Sequence, residues 1–175
     1  MSIPRPPKPA KLVISIFLKD KDLINSLTDE LSQKFGNIDI ISDWMSFDYT
    51  SYYESEMGTP LFRKMISFTN LIEQSRLSEI KLETNKLELK LSKDKKRRVN
   101  IDPGYLLLER FVLATGKNFT HRIYIGNKIY ADLTLIYTKG DFKTLAWTYP
   151  DYADKPVITF LNKVRNQYIN DLKAD

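Results

Sequence analysis

The sequence contains no cysteine and a single histidine, and both scarcities narrow the chemistry open to it. Without cysteine there is no disulfide framework and no thiolate metal site. A metal site of two or three histidines is excluded, as is a histidine pair acting as acid and base. The one histidine, His121, precedes Arg122. It is either a structural residue at the start of a strand or a proton donor or phosphate ligand.

Long apolar runs are also missing. The longest, residues 11–18, is far shorter than the ~20 residues that span a bilayer, and charged residues follow it. Residues 4–9 are rich in proline and lack the apolar region of a signal peptide. We therefore predict a cytoplasmic protein with no membrane partner, consisting of a Pro-rich arm at 1–10 and a single α+β domain at 11–175.

Positive charge is only mildly in excess. The net charge of +5 comes from 27 cations and 22 anions, which alternate along most of the chain, and residues 93–98 are the one dense basic run. Proteins that bind nucleic acid concentrate such charge on one face. We therefore do not expect nucleic acid as a partner, and weak RNA or DNA binding through this basic corner is the last of three alternatives.

Hydrophobic periodicity predicts a ferredoxin-like core. The predicted elements are a strand at 12–18, a helix at 22–35, strands at 38–45 and 63–71, a helix at 76–91 and a strand at 97–101. This β-α-β-β-α-β order is the split arrangement of ferredoxin-like folds. A hairpin at 121–137, a strand at 142–147 and a helix at 156–171 extend the core with a C-terminal antiparallel region and a terminal helix.

Residues 105–115 fit two secondary structures. Asp102-Pro103 places a capping residue before a proline suited to the first turn of a helix. The apolar residues that follow also fit a strand. We predict a short helix, with a strand as the alternative.

Four patches carry a family resemblance: "FDYTSYYESEMG", "RRVNIDPGYL", "LATGKNFTHRIYIG" and "WTYPDY". In this order the sequence resembles a bacterial family of small uncharacterised proteins known as domain of unknown function 4416, from about Lys8 to the last helix. Some members carry a GTP-binding label. The sequence lacks the Gly-x-x-x-x-Gly-Lys-Ser/Thr loop, so we do not expect a P-loop GTPase.

Arg97 and Arg98 end the basic corner, and alternation along a strand sends their side chains to opposite faces. An arginine fork suits phosphate or carboxylate, and a helix beginning at Pro103-Gly104 would add free backbone N–H groups. The alternative is a solvated turn in which the arginines pair with Glu54, Glu56 or Asp102.

Residues 47–58, which we name the aromatic segment, combine tyrosines with carboxylates. Tyrosine suits a ligand cleft and a dimer interface equally. A third interpretation is a connection packed over the sheet. Three carboxylates could hold Mg²⁺ or Ca²⁺, but their spacing matches no known metal loop, and we predict no metal site.

The first functional hypothesis is a domain that binds an anionic, nucleotide- or phosphometabolite-like small molecule around a slightly positive concave patch, with enzymatic activity left open. The candidate ligand-binding residues, most of them beside turns, are Arg97, Arg98, Asp102, Tyr105, Lys117, His121, Arg122, Tyr53, Glu54 and Glu56. The sequence indicates no particular cofactor. The alternative is a non-catalytic protein-interaction module or homo-oligomer that uses the aromatic segment.

Overall fold

The first strand, β1 (Ala10–Leu18), is the centre of the fold, and all nine of its residues are buried. The computed structural model describes residues 1–174, so Asp175 of the predicted domain lies outside the described residues. Both faces of β1 are covered, which is why it appears in the sequence as a continuous apolar run.

The described residues form an α+β structure with four α-helices and nine strands. The helices are α1 (Leu23–Phe35), α2 (Glu54–Met57), α3 (Leu77–Leu91) and α4 (Lys155–Ala174). The further strands are β2 (Ile38–Ile41), β3 (Met45–Phe47), β4 (Leu61–Ile72), β5 (Val99–Leu106), β6 (Arg110–Thr115), β7 (Arg122–Tyr124), β8 (Tyr130–Thr138) and β9 (Asp141–Thr144). Among residues 1–174, no helix is long and apolar enough to cross a membrane.

The strands form one antiparallel sheet in the order β2-β4-β1-β5-β6-β8-β7, with β3 paired to β4 and β9 paired to β8. Alternation along β1 places Leu12, Ile14 and Ile16 on one face and Ser15 and Phe17 on the other. We name the face of Ser15 and Phe17 the polar face, because β4 and β5 also contribute charged side chains to it.

Two elements cover the polar face of β1 at its two ends. Near the start, the buried Lys11 forms ion pairs with Asp39 of β2 and Asp171 of α4. Near the end, the ring of Phe17 stacks on Phe47 of the aromatic segment, with 4.3 Å between centroids. The cavity described below adjoins the second of these covers, because Phe17 and Phe47 both line it.

The α+β class and the positions of the three long helices are confirmed. The predicted strand at 38–45 is two strands, β2 and β3, which both pair with β4. The short helix predicted after Asp102-Pro103 is wrong. β5 continues through Leu106 and β6 follows, so the backbone N–H groups expected from a helix at Pro103-Gly104 are absent from that place.

Burial on both faces explains this error. Consecutive residues of β5 and β6 are buried, so both faces of these strands are covered. An apolar run of this kind does not distinguish a helix from a central strand. Gly104 is the residue whose contacts require a strand at this place. A Cβ atom there would lie 2.5 Å from the carbonyl oxygen of Val112, so only glycine admits the close approach of β6 to β5.

Candidate functional site

A cavity forms where β5 and β6 diverge. Within β5, only Gly104–Leu106 pair with β6. The edge of residues 99–103 that faces away from β1 is covered by no described strand. Helix α3 bonds to this edge instead. Lys81 Nζ donates to the carbonyl oxygen of Ile101 at 2.8 Å, and Glu88 Oε1 accepts from the Ile101 N–H at 2.6 Å. Two charged side chains are thereby fixed beside the opening.

The cavity has a volume of about 840 Å³, within the range of small-molecule sites. Its walls come from the aromatic segment, α3, β5, the end of β6 and the turn before α4. The aromatic side chains that line it are Phe17, Phe47, Tyr49, Tyr52, Tyr53, Tyr149 and Tyr152. The charged side chains that line it are Lys81, Glu88, Arg97, Asp102, Lys117, Asp132 and Asp151.

A chain of hydrogen bonds runs along one wall from the aromatic segment to α3. Arg97 Nε and NH2 donate to the two carboxylate oxygens of Glu56 at 2.8 and 2.7 Å, and Arg97 NH1 donates to Asn100 Oδ1 at 2.8 Å. Asn100 Nδ2 donates to Asp102 Oδ2 at 2.7 Å, and Asp102 Oδ1 lies 3.2 Å from Lys81 Nζ. The hydrogen bond from Arg97 lowers the pKa of Glu56.

Glu88 is a buried carboxyl group on the same wall, with 7% of its surface exposed. Burial raises its pKa, although Lys81 opposes the shift. Its second oxygen, Oε2, lies 3.6 Å from Arg97 NH1. The wall therefore includes a carboxyl group that takes up a proton more readily than an exposed glutamate.

Asp132 of β8 organises the opposite wall, although sequence reasoning did not select it. Its Oδ2 accepts from Arg122 Nε at 2.9 Å and lies 3.1 Å from His121 Nε2. Arg122 NH2 donates to Tyr149 OH at 2.5 Å, and the His121 ring stacks on Trp147 with 5.0 Å between centroids. His121 and Arg122 thus lie behind Asp132 and hold it in place.

Lys117 lies at the rim of the cavity and is exposed. Its Nζ is 3.3 Å from Tyr52 OH and 4.4 Å from the centroid of the Tyr52 ring. Within residues 1–174 no carboxylate forms an ion pair with it, whereas Lys81 and Arg97 both have carboxylate partners. Lys117 is therefore the lining cation whose charge is not neutralised.

A buried arginine contacts two of the residues that line the cavity, Asp151 and Tyr152. Arg63 of β4 is 2% exposed; its NH2 forms an ion pair with Asp151, and its NH1 donates to the Asp151 carbonyl oxygen at 3.1 Å. The guanidinium carbon lies 4.8 Å from the centroid of the Tyr152 ring and 4.9 Å from that of Phe47. Burial raises the pKa of the Tyr152 hydroxyl, which therefore stays protonated.

The structure brings together most, but not all, of the residues predicted from the sequence. Those that line the cavity are Tyr53, Arg97, Asp102 and Lys117. Three others contact a lining residue: Glu56 binds Arg97, and His121 and Arg122 bind Asp132.

The other three predicted residues lie elsewhere. Arg98 turns away from Arg97, as alternation predicts, and its NH2 donates to Asp20 at 2.9 Å near the surface. Tyr105 pairs with Leu12 and packs on the face opposite to Asp102. Glu54 is exposed on α2.

The charged side chains that line the cavity do not show the predicted positive excess. The lining contains three cations, Lys81, Arg97 and Lys117, against four carboxylates contributed by α3, β5, β8 and the turn before α4. Asp132 and Asp151 account for the difference, and the sequence analysis missed both. A ligand that is anionic throughout would meet carboxylates inside the cavity, so any anionic group belongs near the rim.

Lys81 and Glu88 were also missed, although the sequence contains a signal for them. They are seven residues apart on α3, which places them two turns apart on one face, and both are buried. Charged residues on the apolar face of a predicted helix mark a site or a buried pair. Within residues 1–174, no group of three or more His, Asp or Glu side chains could hold a metal ion.

A family model described as Domain of unknown function (DUF4416) matches residues 8–168. Every residue that lines the cavity falls inside this range. No curated protein and no solved structure matches the chain. The family description attaches no activity to the matched region, so a function has to be argued from the site itself.

Proposed function

The chain belongs to the DUF4416 family, and from the geometry of its cavity we propose that it binds an anionic small molecule of the nucleotide or phosphometabolite class. The observation that carries this proposal is Lys117, which has no carboxylate partner among residues 1–174 and lies at the rim of a cavity of about 840 Å³. An anionic group of the ligand binds there without breaking an existing ion pair.

The rest of the ligand is polar but uncharged. Arg97 and Lys81 are each held by carboxylates, and separating such a pair leaves an unpaired charge in a partly buried place. Hydrogen-bonding groups, by contrast, can bind between Asn100, Asp132 and Asp151 on the lining. The ligand therefore has one anionic end and a neutral polar body.

The tyrosine rings favour a planar or sugar-like body. Tyr52 and Tyr53 come from the aromatic segment, and Tyr149 comes from the turn before α4. Aromatic faces stack on bases of any sequence and on flat ligand groups. Nucleotides combine such a planar group with an anionic end, and they fit within the volume of the cavity.

A thermal-shift screen of nucleoside monophosphates and sugar phosphates tests this proposal. A ligand at 100 times its dissociation constant stabilises the protein by about 2.7 kcal/mol. We expect Lys117→Gln to lose at least half of the shift. The control is Lys163→Gln, which removes the same charge from an exposed position on α4 away from the lining. Equal shifts in both variants would contradict the proposal.

The outer edge of β7 favours a second candidate function, self-association. β7 is the last strand in the sheet order, and Ile123 and Tyr124 on it are 68% and 60% exposed. Exposed apolar edge strands tend to pair with another chain. Light scattering that gives a dimer mass for the wild type and a monomer mass for Ile123→Lys would support this candidate.

We also infer that β1, α1, β2, β4, α3 and β5 form a ferredoxin-like core within one domain. The strand order β2-β4-β1-β5 supports this inference, because α1 joins β1 to β2 across β4, and α3 joins β4 to β5 across β1. Such split βαβ units define that core. The cavity then lies where the C-terminal strands join it at β5.

A further inference from the structure

Two buried carboxyl groups in the lining of the cavity each have one oxygen without a hydrogen-bond partner among residues 1–174. Glu88 and Asp151 are 7% and 8% exposed, and both line the cavity. Glu88 Oε1 accepts from the Ile101 N–H, whereas Oε2 lies 3.6 Å from Arg97 NH1, which is longer than a hydrogen bond. Asp151 Oδ2 accepts from Arg63 NH2, whereas Oδ1 has no donor. Buried polar atoms normally have such a partner, so a ligand is the natural contact for both oxygens.

These two oxygens are open to the cavity. The buried side-chain atoms of residues 1–174 that have neither a partner nor contact with solvent are Ser15 Oγ, Arg63 Nε and Tyr152 OH. Glu88 Oε2 and Asp151 Oδ1 do not belong to that sealed group, so each borders free volume, and the cavity that both residues line provides it. A ligand in the cavity can therefore reach both oxygens.

The two carboxyl groups lie on either side of Phe17, which also lines the cavity. Phe17 is the register partner of Arg63 of β4 on one side and of Asn100 of β5 on the other. Neighbouring strands are about 4.8 Å apart, so the Cα atoms of Arg63 and Asn100 are roughly 10 Å apart. Asp151 is bound to Arg63, and Glu88 is bound to the backbone of β5 one residue after Asn100. A ligand between them has one carboxyl group on each side.

Glu88 is the group that holds a proton more readily. It faces Lys81 of its own helix, and Arg97 and Asp102 of the strand side of the cavity. Burial raises the pKa of Glu88, Asp102 adds to the shift, and the two cations oppose it. The side chain can therefore donate a proton to a bound ligand.

Asp151 is the group that carries the negative charge. Its Oδ2 forms an ion pair with the guanidinium of Arg63, which is 2% exposed. The free oxygen, Oδ1, can therefore accept a proton from a water molecule in the cavity. Two carboxyl groups in unlike environments within one cavity are the arrangement in which one acts as an acid and the other as a base.

We propose that the cavity hydrolyses the glycosidic bond of a nucleoside monophosphate, with Glu88 as the acid and Asp151 as the base. Asp151 takes a proton from a water molecule, whose oxygen forms a bond to the anomeric carbon of the ribose. The bond between that carbon and the nucleobase nitrogen breaks, its electron pair goes to the nucleobase, and the nucleobase takes the proton of Glu88. The products are ribose phosphate and the free nucleobase. Exchange of protons with water returns both carboxyl groups to their starting states.

This inference rests on the proposed function, because the same ligand places its phosphate at Lys117 and its nucleobase on the tyrosine rings. Hydrolysis by a carboxyl pair needs no reactant besides the substrate and water. Enzymes that use a water molecule directly keep the two carboxyl groups about 6.5–9.5 Å apart to make room for it. The span of roughly 10 Å across β1 leaves room of this order.

Incubation of the full chain with the monophosphates of adenosine, inosine, uridine and cytidine tests the inference, with chromatography of the free nucleobase as the measurement. We expect Glu88→Gln and Asp151→Asn each to lower the rate of release at least about 100-fold, as the loss of a general acid or base does. The matched control is Glu79→Gln, which removes an exposed carboxylate from the same helix outside the lining. It should keep the rate of the wild type.

A substrate with an activated leaving group isolates the role of Glu88. Para-nitrophenyl ribofuranoside phosphate releases nitrophenolate, which leaves without taking a proton. On this substrate we expect Glu88→Gln to lose less than about tenfold, and Asp151→Asn to lose as much as on the nucleotides. Because the two substrates are compared within one variant, the result does not depend on how much of that variant is folded. Equal losses of Glu88→Gln on both substrates would overturn its role as the acid.

Calorimetric titration with the same nucleotides separates this inference from the proposed function. Nucleotides that bind but release no nucleobase overturn the hydrolysis and leave the binding site standing. If none of the four binds at millimolar concentration and none is hydrolysed, both proposals are overturned for this ligand class. Release that continues at the wild-type rate in Glu88→Gln and Asp151→Asn, purified in the same way, also overturns the hydrolysis by this carboxyl pair.

Discussion

Arg97 and Glu56 form a bidentate ion pair that joins the aromatic segment to the start of β5, with N–O distances of 2.8 and 2.7 Å. The next residue, Arg98, pairs with Asp20 nearer to solvent, where the two side chains are 39% and 48% exposed. Bidentate, partly buried pairs stabilise more than exposed ones. We expect Arg97→Gln to cost about 1–2 kcal/mol in urea unfolding and Arg98→Gln less than about 0.5 kcal/mol. Equal costs would contradict this difference.

The same pair predicts a pH dependence. The hydrogen bond from Arg97 lowers the pKa of Glu56 in the folded state, so the stabilisation is complete above the ordinary glutamate pKa. It is lost as the pH falls through the lowered pKa. Because Glu56 is 32% exposed, we expect Glu56→Gln to cost only about 1 kcal/mol at pH 7, and less as the medium becomes acidic. Chemical unfolding across pH 2–7, beside the exposed Glu54→Gln, measures the difference.

Gly104 and Gly116 provide a matched pair for the geometry that opens the cavity. A Cβ atom at Gly104 would lie 2.5 Å from the Val112 carbonyl oxygen, whereas one at Gly116 meets nothing within 4 Å. Gly104→Ala forces β5 and β6 apart, and overpacking of this kind costs about 1–3 kcal/mol. We expect Gly116→Ala to stay within about 0.5 kcal/mol of the wild type. Thermal unfolding of the two variants decides whether the close approach matters.

Lys11 is fully buried and pairs with Asp39 and Asp171, which are 17% and 16% exposed. Lys11→Met leaves two carboxylates facing each other without a cation, and removal of one partner from a buried pair costs about 3–5 kcal/mol. We expect a loss of about 3 kcal/mol, because both carboxylates keep some contact with water. Adding Asp39→Asn and Asp171→Asn should restore part of it. A triple variant no more stable than Lys11→Met would show that packing of the lysine stem dominates.

Local patterns predicted the elements well where one face of an element is apolar. Helix α1 has buried Leu27 and Leu31 one turn apart, and such spacing is visible without tertiary structure. The pattern was ambiguous at β5 and β6, where both faces are buried. There the decisive fact is a contact between Gly104 and Val112, which no window of the sequence contains.

Only part of the candidate site was predicted, because long-range contacts are not visible in the sequence. Arg97 and Lys117 are cations beside turns, and this pattern in the sequence pointed to them. Asp132 and Asp151 were not selected as site residues, although Asp151 lies in the "WTYPDY" patch. They reach the cavity through the packing of β8 and of the turn before α4. Charge balance therefore depends on long-range packing, and the slightly positive patch predicted from the sequence left out both of these carboxylates.

Glu88 yields the last prediction, because its carboxyl group is buried and its pKa is raised by that burial. The folded state therefore holds the Glu88 proton more tightly than the unfolded state does, and the wild type loses stability as the pH rises through the raised pKa. Glu88→Gln keeps an oxygen that can accept from the Ile101 N–H and has no proton to lose. We expect the two proteins to have similar stability near pH 4.

Above that pH the variant should become the more stable of the two, with a difference that grows and then levels off near neutrality. Glu79→Gln, which removes a charge from a 64% exposed side chain on the same helix, corrects for the general loss of negative charge. Urea unfolding at closely spaced pH values measures the three curves. A wild type that is more stable than Glu88→Gln at pH 8 would mean that the attraction of Lys81 and Arg97 exceeds the cost of burial, and that Glu88 is ionised in the free protein.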